Sequence, residues 1–390
     1  MTKYKDILVS FWQLTSHVIF ARKVRVLFYY PQHFNRSAQA TNPFFDRLLK
    51  SCQENNISYH LIEEPDWGTD KPRNPLAIKG DVLFVLITIL RRLYGFVFGS
   101  DTVRREHFTG KTISILTLGR LKYPYFVTIS GSMLTVFLSL NKRAIVYDMQ
   151  HGILYKQHPT FFDEHEHLRT YIAEQPRWHW LFWGKGYEKC FSRGDEPVLH
   201  GRTHVVGYPV AETRDPIESQ QDQVVLFSLQ FTHDWQPEQL QEAKQVTDDA
   251  LSQLVGKNVR VLLKHHPRFN DSISIDDLLE KYPFAELTTL SIQQLIPVTF
   301  LQVTINSTTA FEYAAKGIVS FFIDPSSRVE RGNLFYQEYH YPLYSGMSLG
   351  DVVERLRNDN LYKKDSEIVR AWYRDYYDEF NEQEFLKLIS

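Results

Sequence analysis

Two stretches of the chain share one pattern: short, continuous apolar runs, each closed by a polar or glycine-bearing turn and followed by apolar positions at helical spacing. Continuous runs suit parallel strands covered on both faces, whereas strict alternation would mark a strand with one wet face. In the first stretch residues 24–30 (VRVLFYY) form such a run. A polar loop leads to a helix predicted to start near Phe44, with Asn42 and Pro43 as suitable entry residues. Residues 57–62 (ISYHLI) are the next strand, and this βαβ opening predicts a doubly wound domain. After a Pro-rich interruption at 65–75 come apolar or amphipathic helices, then strands predicted at 112–118, 144–147, 180–183 and 204–206. Residues 155–175 are polar and His-rich and read as a loop.

Residues 211–223 are polar without apolar periodicity and read as a linker. Beyond it the pattern starts afresh. Strands are predicted at 224–229, 259–263, 301–305 and 319–323, a long helix at 237–255, a short one at 291–296 and another at 310–317. Residues 349–390 read as two amphipathic helices. The expected domains are therefore 1–210 and 222–348, both Rossmann-like, with 349–390 packing back on the first.

A length of 390 residues suits two domains better than one core. With 43% hydrophobic and 23% charged residues the chain falls in the globular range, which excludes disorder. The net charge of −2 and the absence of a basic domain argue against nucleic acid as a partner. Cys52 and Cys190 form no CxxC pair, so neither a disulfide framework nor a zinc site is expected, and a reducing compartment is. The amino-terminal residues lack the apolar core of a signal peptide, and the most apolar run, 82–90, is shorter than a membrane span. The expectation is a cytoplasmic protein, with peripheral contact at the inner face of the membrane left open.

Three turns carry candidate chemistry. In 301–317 (LQVTINSTTAFEYAAKG) a buried strand runs through Ser307 and Thr308 directly into a helix. A helix amino terminus at the carboxyl end of a parallel strand offers N–H groups to a phosphate, and Glu312 one turn on would meet ribose hydroxyls. The same hydroxyls could instead cap the helix. His265-His266-Pro267-Arg268 follows another strand, where His266 or Arg268 would neutralise a leaving phosphate. These two turns are expected on adjacent strands. In the first half, Asp148-Met149-Gln150-His151-Gly152 ends a strand. Transfer to a hydroxyl needs a general base, for which His151 is the first candidate and Asp148 the second, with Asp66 and Asp46 open. No metal site is expected: the interleaved His158, His165 and His167 read as a solvated loop. No GxGxxG, Walker lysine loop or GxSxG elbow is present, which disfavours dehydrogenase, kinase and hydrolase readings of those types. No cofactor is expected.

The pairing of HHP at 265–267 with NSTTAFEYAAKG at 306–317 resembles the carboxyl-terminal half of bacterial GT-B transferases that build surface polysaccharides. That group includes sialyltransferases, capsule Kdo transferases and CDP-glycerol glycerophosphotransferases. VYDMQHGILYKQHP, WLFWGKGYEKCF and VVGYP resemble the amino-terminal half of capsule-locus transferases. The resemblance implies a GT-B fold, two doubly wound domains facing a cleft, and a nucleotide-sugar donor whose phosphate meets His266, Ser307 and Thr308. It implies a glycan or glycolipid acceptor. Thr308 stands where the group has a second serine, and Asp66-Trp67-Gly68 is only a loose analogue of the sialyltransferase acidic pair and glycine.

Overall fold

The computed structural model describes residues 2–19, 24–37, 39–68, 72–129, 131, 133–154, 161–163, 167–192, 199–210, 223–233, 235–266, 269–323 and 334–390. Contacts divide the chain into two units, one of residues 1–211 with 377–390, the other of residues 212–376.

The first unit runs α1 (Thr2–Gln13), β1 (Val26–Pro31), α2 (Pro43–Glu54), β2 (Tyr59–Glu64), β3 (Ile78–Lys79), α3 (Asp81–Phe98), α4 (Thr102–Leu116), β4 (Tyr125–Ile129), α5 (Leu134–Leu140), β5 (Ile145–Met149), α6 (Thr170–Ala173), β6 (Trp178–Phe182), α7 (Lys185–Ser192) and β7 (Thr203–Val205). All seven strands are parallel, in the order β3-β2-β1-β4-β5-β6-β7. Every residue of β1 is buried, as its unbroken apolar run requires. The Asn42 side chain accepts from the Phe44 N–H and caps α2, with Pro43 in the first turn. Two local expectations are corrected. Residues 112–118 form no strand but the end of α4, whose buried residues Glu106, Thr109, Gly110, Ile113 and Ser114 follow helical spacing behind an Asp101 cap. Short, β-branched TISIL satisfies either period, and the upstream cap decides it. The strand next to β1 is β4, YFVTI, which Gly119 and Pro124 precede and which the sequence pattern did not single out.

The second unit runs β8 (Val224–Ser228), α8 (Pro237–Ser252), β9 (Arg260–Lys264), α9 (Asp276–Lys281), β10 (Ala285–Leu287), α10 (Ile292–Leu295), β11 (Thr299–Thr304), α11 (Thr309–Ala315), β12 (Ser320–Phe322), α12 (Leu334–Gln337), α13 (Leu349–Leu356) and α14 (Asp359–Tyr376). Its five strands are parallel, in the order β10-β9-β8-β11-β12. Val224, Leu226, Leu262, Leu295, Tyr313 and Ile318 form a core cluster beneath the sheet. The aromatic Phe311 of α11 stacks on Trp372 of α14 at 4.6 Å. Asp365 of α14, fully buried, is held by Arg355 at 2.6 Å and by the Tyr344 hydroxyl at 3.0 Å. So α13 and α14 fall in this unit, whereas residues 349–390 were expected to pack together on the first. Only 377–390 return to the first unit.

That return is built on backbone. Tyr208 N–H donates to Asp378 O, Asp378 N–H to Trp183 O and Asn381 N–H to Val206 O, and α15 (Glu382–Ile389) follows. Gly207 adopts φ +80°, and a Cβ there would collide with the Glu379 carbonyl. Gly207→Ala therefore meets strain and overlap together, and a loss of about 2–4 kcal/mol is expected. Limited proteolysis should then cleave near 377–381 in the variant before it does in the parent.

Candidate functional site

In the first sheet the strand order reverses direction between β1 and β4, and open parallel sheets bind ligands outside the carboxyl ends of strands at such a point. A single 3-10 turn, Gln32–Phe34, leaves β1 there and presents His33. Past β2 lies Asp66, whose Oδ2 is 2.7 Å from His33 Nδ1. The other oxygen of Asp66 accepts from the Gly68 N–H at 3.0 Å, and its own N–H donates to Gln32 Oε1 at 3.2 Å. With Nδ1 turned to Asp66, the remaining nitrogen of His33 is the one available to a substrate proton.

Buried polar groups behind this turn hold it still. Glu63 is paired with Arg73 and accepts from Asn35 Nδ2 at 2.6 Å and from the Asn74 N–H at 2.8 Å. Arg73 also pairs with Asp81 at 3.0 Å, and the Tyr30 hydroxyl bonds Asn35 and Asn74. Removing one member would leave a buried charge or donor unmatched, so the network is rigid as a whole.

One strand further along the edge, Asp148 of β5 is only 5% exposed. Its carboxyl group accepts from the Gly131 backbone, while Oδ1 has no hydrogen-bond partner. Burial pushes its pKa from 3.8 up to about 8, against a smaller opposing effect of the Gly131 bond, so the group is mostly a neutral acid at pH 7. Gly131 adopts φ +67°, which lets the chain turn out of β4 beside that carboxyl. Asp148, Gly131, His151, Phe161, Tyr171 and Trp178 line a cavity of about 230 Å³. Trp178 Nε1 is also buried without a hydrogen-bond partner, so two of the residues lining this cavity each carry an unmatched polar atom. Gln150 clamps the loop that carries His151: Nε2 donates to Gly152 O at 2.9 Å, and Oε1 accepts from the Trp183 N–H at 2.9 Å. Phe34 joins the two imidazoles, its ring 4.6 Å from His33 and 5.4 Å from His151.

Asp148 and His151, chosen from sequence, thus share one cavity. Asp66 lies on the same edge with His33, a residue the sequence reading passed over. Its signal was available: PQHF follows the first buried strand at once. Asp46 sits in α2 and accepts from the Thr41 hydroxyl at 3.0 Å, away from the cavity. Among the described residues no three His, Cys, Asp or Glu side chains come together as a metal site. His158 and His165 lie outside the described residues, and so do the linker residues 211–222.

In the second sheet the reversal falls between β8 and β11. His266 follows β9, and Ser307 and Thr308 follow β11. The expectation of adjacent strands is corrected, because β8 pairs with both and stands between them. Two strand spacings, about 10 Å, separate the two turns. Ser307 is 6% exposed, and its hydroxyl shares a 2.8 Å bond with Thr309 Oγ1 and accepts from the Thr309 N–H. Thr309 Oγ1 accepts in turn from Gln302 Nε2, which also reaches Ser228, while Ser320 donates to Gln302 Oε1. Ser307 therefore shapes the turn from inside. Thr308 and Glu312 are exposed on α11, His266 is half-buried, and Arg268 lies outside the described residues. His265 packs on Phe269 with ring centroids 3.7 Å apart, and burial holds its pKa below the usual imidazole range.

No protein-family model matches the chain, and no curated protein matches it either. Among solved structures, the apo form of the lipopolysaccharide outer core galactosyltransferase WaaB is similar with a TM-score of 0.52 at 14% identity, over 94% of this chain and 99% of that one. UDP-GlcNAc 2-epimerase from Neisseria meningitidis, bound to UDP-GlcNAc, is similar with a TM-score of 0.51 at 10% identity, over 93% and 98%. A histidine-to-alanine variant of the wall teichoic acid polymerase TagF gives 0.50 at 13% identity, over 100% and 96%. At such identities the likeness is one of fold: two Rossmann-like α/β units in succession, the GT-B class.

Proposed function

We propose that the chain is a glycosyltransferase that moves a sugar from a nucleotide-activated donor to a hydroxyl of a glycan or glycolipid, with inversion. The observation that carries this reading is the cavity shared by His151 and the buried Asp148 near the reversal point of the first sheet, with the His33–Asp66 pair joined to it through Phe34. Proton-transferring groups stand where a doubly wound sheet binds its ligand. The acceptor hydroxyl sits in the small cavity, between the Asp148 carboxyl and the Trp178 indole N–H, and gives its proton to His151. Its oxygen bonds the anomeric carbon as the bond from that carbon to the donor phosphate breaks. For the donor phosphate the groups assigned are those of the second unit, His266, Arg268 and Thr308 for its charge, with Ser307 supporting the turn and Glu312 for ribose hydroxyls. In this reading those groups do the work a metal ion does elsewhere. The similar structures support the scaffold of this reading; one is a galactosyltransferase and another is an epimerase bound to a nucleotide sugar.

The preferred donor is a CMP-sugar. A thermal-shift screen against CMP, CDP, UDP and GDP tests it, since a ligand bound only by the native state raises the melting temperature. A cytidine nucleotide is expected to give the largest rise, on the order of a few degrees at saturation, and His266→Ala to abolish it. A larger rise with a nicotinamide or flavin nucleotide would sink the assignment. Product analysis then separates sugar transfer from the alternative, polyol-phosphate transfer from CDP-glycerol. Silence across CMP-, UDP-, GDP- and CDP-linked donors would favour a non-catalytic binding protein.

A further inference from the structure

We propose that the layer of α1, α3 and α4 in the first unit docks on an anionic phospholipid bilayer, and that a basic pocket beside it takes the phosphate-bearing headgroups. This assignment does not depend on the transfer reading.

The starting observation is an apolar surface that the fold leaves uncovered. Along α3 the residues Ile89, Leu93, Phe96 and Val97 follow one helical stripe, and all are exposed, Phe96 to 90%. The opposite stripe, with Leu83, Ile87 and Leu90, is buried. On α1, Leu8, Phe11 and Trp12 repeat the arrangement, with Trp12 72% exposed, while Ser10 and Leu14 face inward. The end of α4 adds Ile115, Leu116 and Leu118, the last 84% exposed. These helices pack side by side: the Tyr94 hydroxyl bonds Thr112 at 2.6 Å, Phe98 stacks on Phe108 at 4.9 Å, and Ser10 accepts from the Val82 N–H at the start of α3. Isolated exposed apolar side chains are ordinary, but contiguous stripes on neighbouring helices mark a contact surface. No helix among the described residues is long and apolar enough to cross a bilayer, so contact lies in the plane of the interface.

Charge selects the occupant. Ile115 is at once part of the apolar surface and part of the wall of a pocket of about 730 Å³. That wall carries Arg104, His107, Lys111, Lys122, Lys142 and Arg143, and no aspartate or glutamate. Arg104 is shared with Asp101 at 3.3 Å. Burial, then the charges of Lys111 and Lys142, hold His107 below the usual imidazole range, as a site of concentrated positive charge should. The pocket lies by the loop that precedes β5, whereas Asp148 and His151 lie at the other end of that strand. A second copy of this chain carries a net charge of only −2, with 44 basic against 46 acidic side chains. A bilayer rich in anionic lipid offers both partners at once, acyl chains for the stripes and phosphates for the pocket.

The test is co-flotation of the full chain with vesicles of phosphatidylcholine alone and of phosphatidylcholine doped with phosphatidylglycerol. Binding is expected only to the doped vesicles and should weaken with added salt. Lys111→Glu, Lys142→Glu and Arg143→Glu together should reduce it on the order of 100-fold. Leu93→Ser with Phe96→Ser should also abolish it at unchanged charge. All five side chains are exposed, and unchanged thermal melts would confirm intact folding. Equal binding to both vesicle types, or none, overturns the proposal. So does stabilisation by soluble glycerol phosphate without vesicle binding, or a dimer in sedimentation that Phe96→Ser dissociates while no lipid binds. None of these readouts uses a sugar donor, so failure here and failure of the transfer reading are separable.

Discussion

Replacing His151 by alanine is expected to lower kcat by about 10²–10⁴-fold, the range lost with a general base. The side chain is exposed, and Gln150 clamps the loop that carries it. Its loss should therefore leave stability within about 0.5 kcal/mol. His33 tests the assignment from the other side. It does not line the cavity that holds Asp148, and the Phe34 ring links it to His151. His33→Ala should raise KM more than it lowers kcat, and Asp66→Asn should follow it in the same direction. Steady-state kinetics on the three variants, with the donor found by thermal shift, decide the matter. A His33 variant that loses kcat while the His151 variant keeps it would move the base to the His33–Asp66 pair.

Asp148→Asn should make the first unit more stable as pH rises, while abolishing any rate that depends on the acid. The sign follows from linkage. The native carboxyl holds its proton up to about pH 8, whereas in the unfolded chain it releases it near 3.8. Between those values the native state binds the extra proton, so the parent loses stability as pH increases, by at most about 1.4 kcal/mol per pH unit from this one group. Below pH 3.8 both states are protonated and the group makes no difference. Asparagine matches the neutral acid in shape, keeps an oxygen for the Gly131 N–H, and does not titrate. The gap between variant and parent melting temperatures should be near zero at pH 4 and widen to several degrees or more by pH 8. A gap that stays constant with pH would show that the native carboxyl is not held as an acid.

Much of the site was legible because parallel strands announce themselves. Residues 145–149 are buried on both faces and must end in a turn, so Asp148 and His151 could be placed at a sheet edge before any coordinates. The same logic placed His266 and Thr308. It failed at 112–118, where the apolar and β-branched residues fit either period and only the Asp101 cap upstream decides. His33 was passed over because its meaning depends on Asp66, some thirty positions away, and nothing local announces a pair made by two different strand ends. Ser307 illustrates the converse. Its hydroxyl looked like a ligand-binding group, and the fold turned it inward to Thr309 and the Gln302 network.

The chain by itself determined that there are two doubly wound halves, because the alternation of unbroken apolar runs with helical spacing has one stable solution, a parallel sheet covered on both sides. Tertiary structure alone decided strand order, and with it which turns are neighbours. It put β8 between the two turns of the second unit, drew residues 377–390 back to the first unit, and raised the Asp148 pKa. The physical reason is the same in each case. Local pattern sets what each segment becomes, whereas pairing order, burial and dielectric depend on contacts between segments that no window of sequence contains.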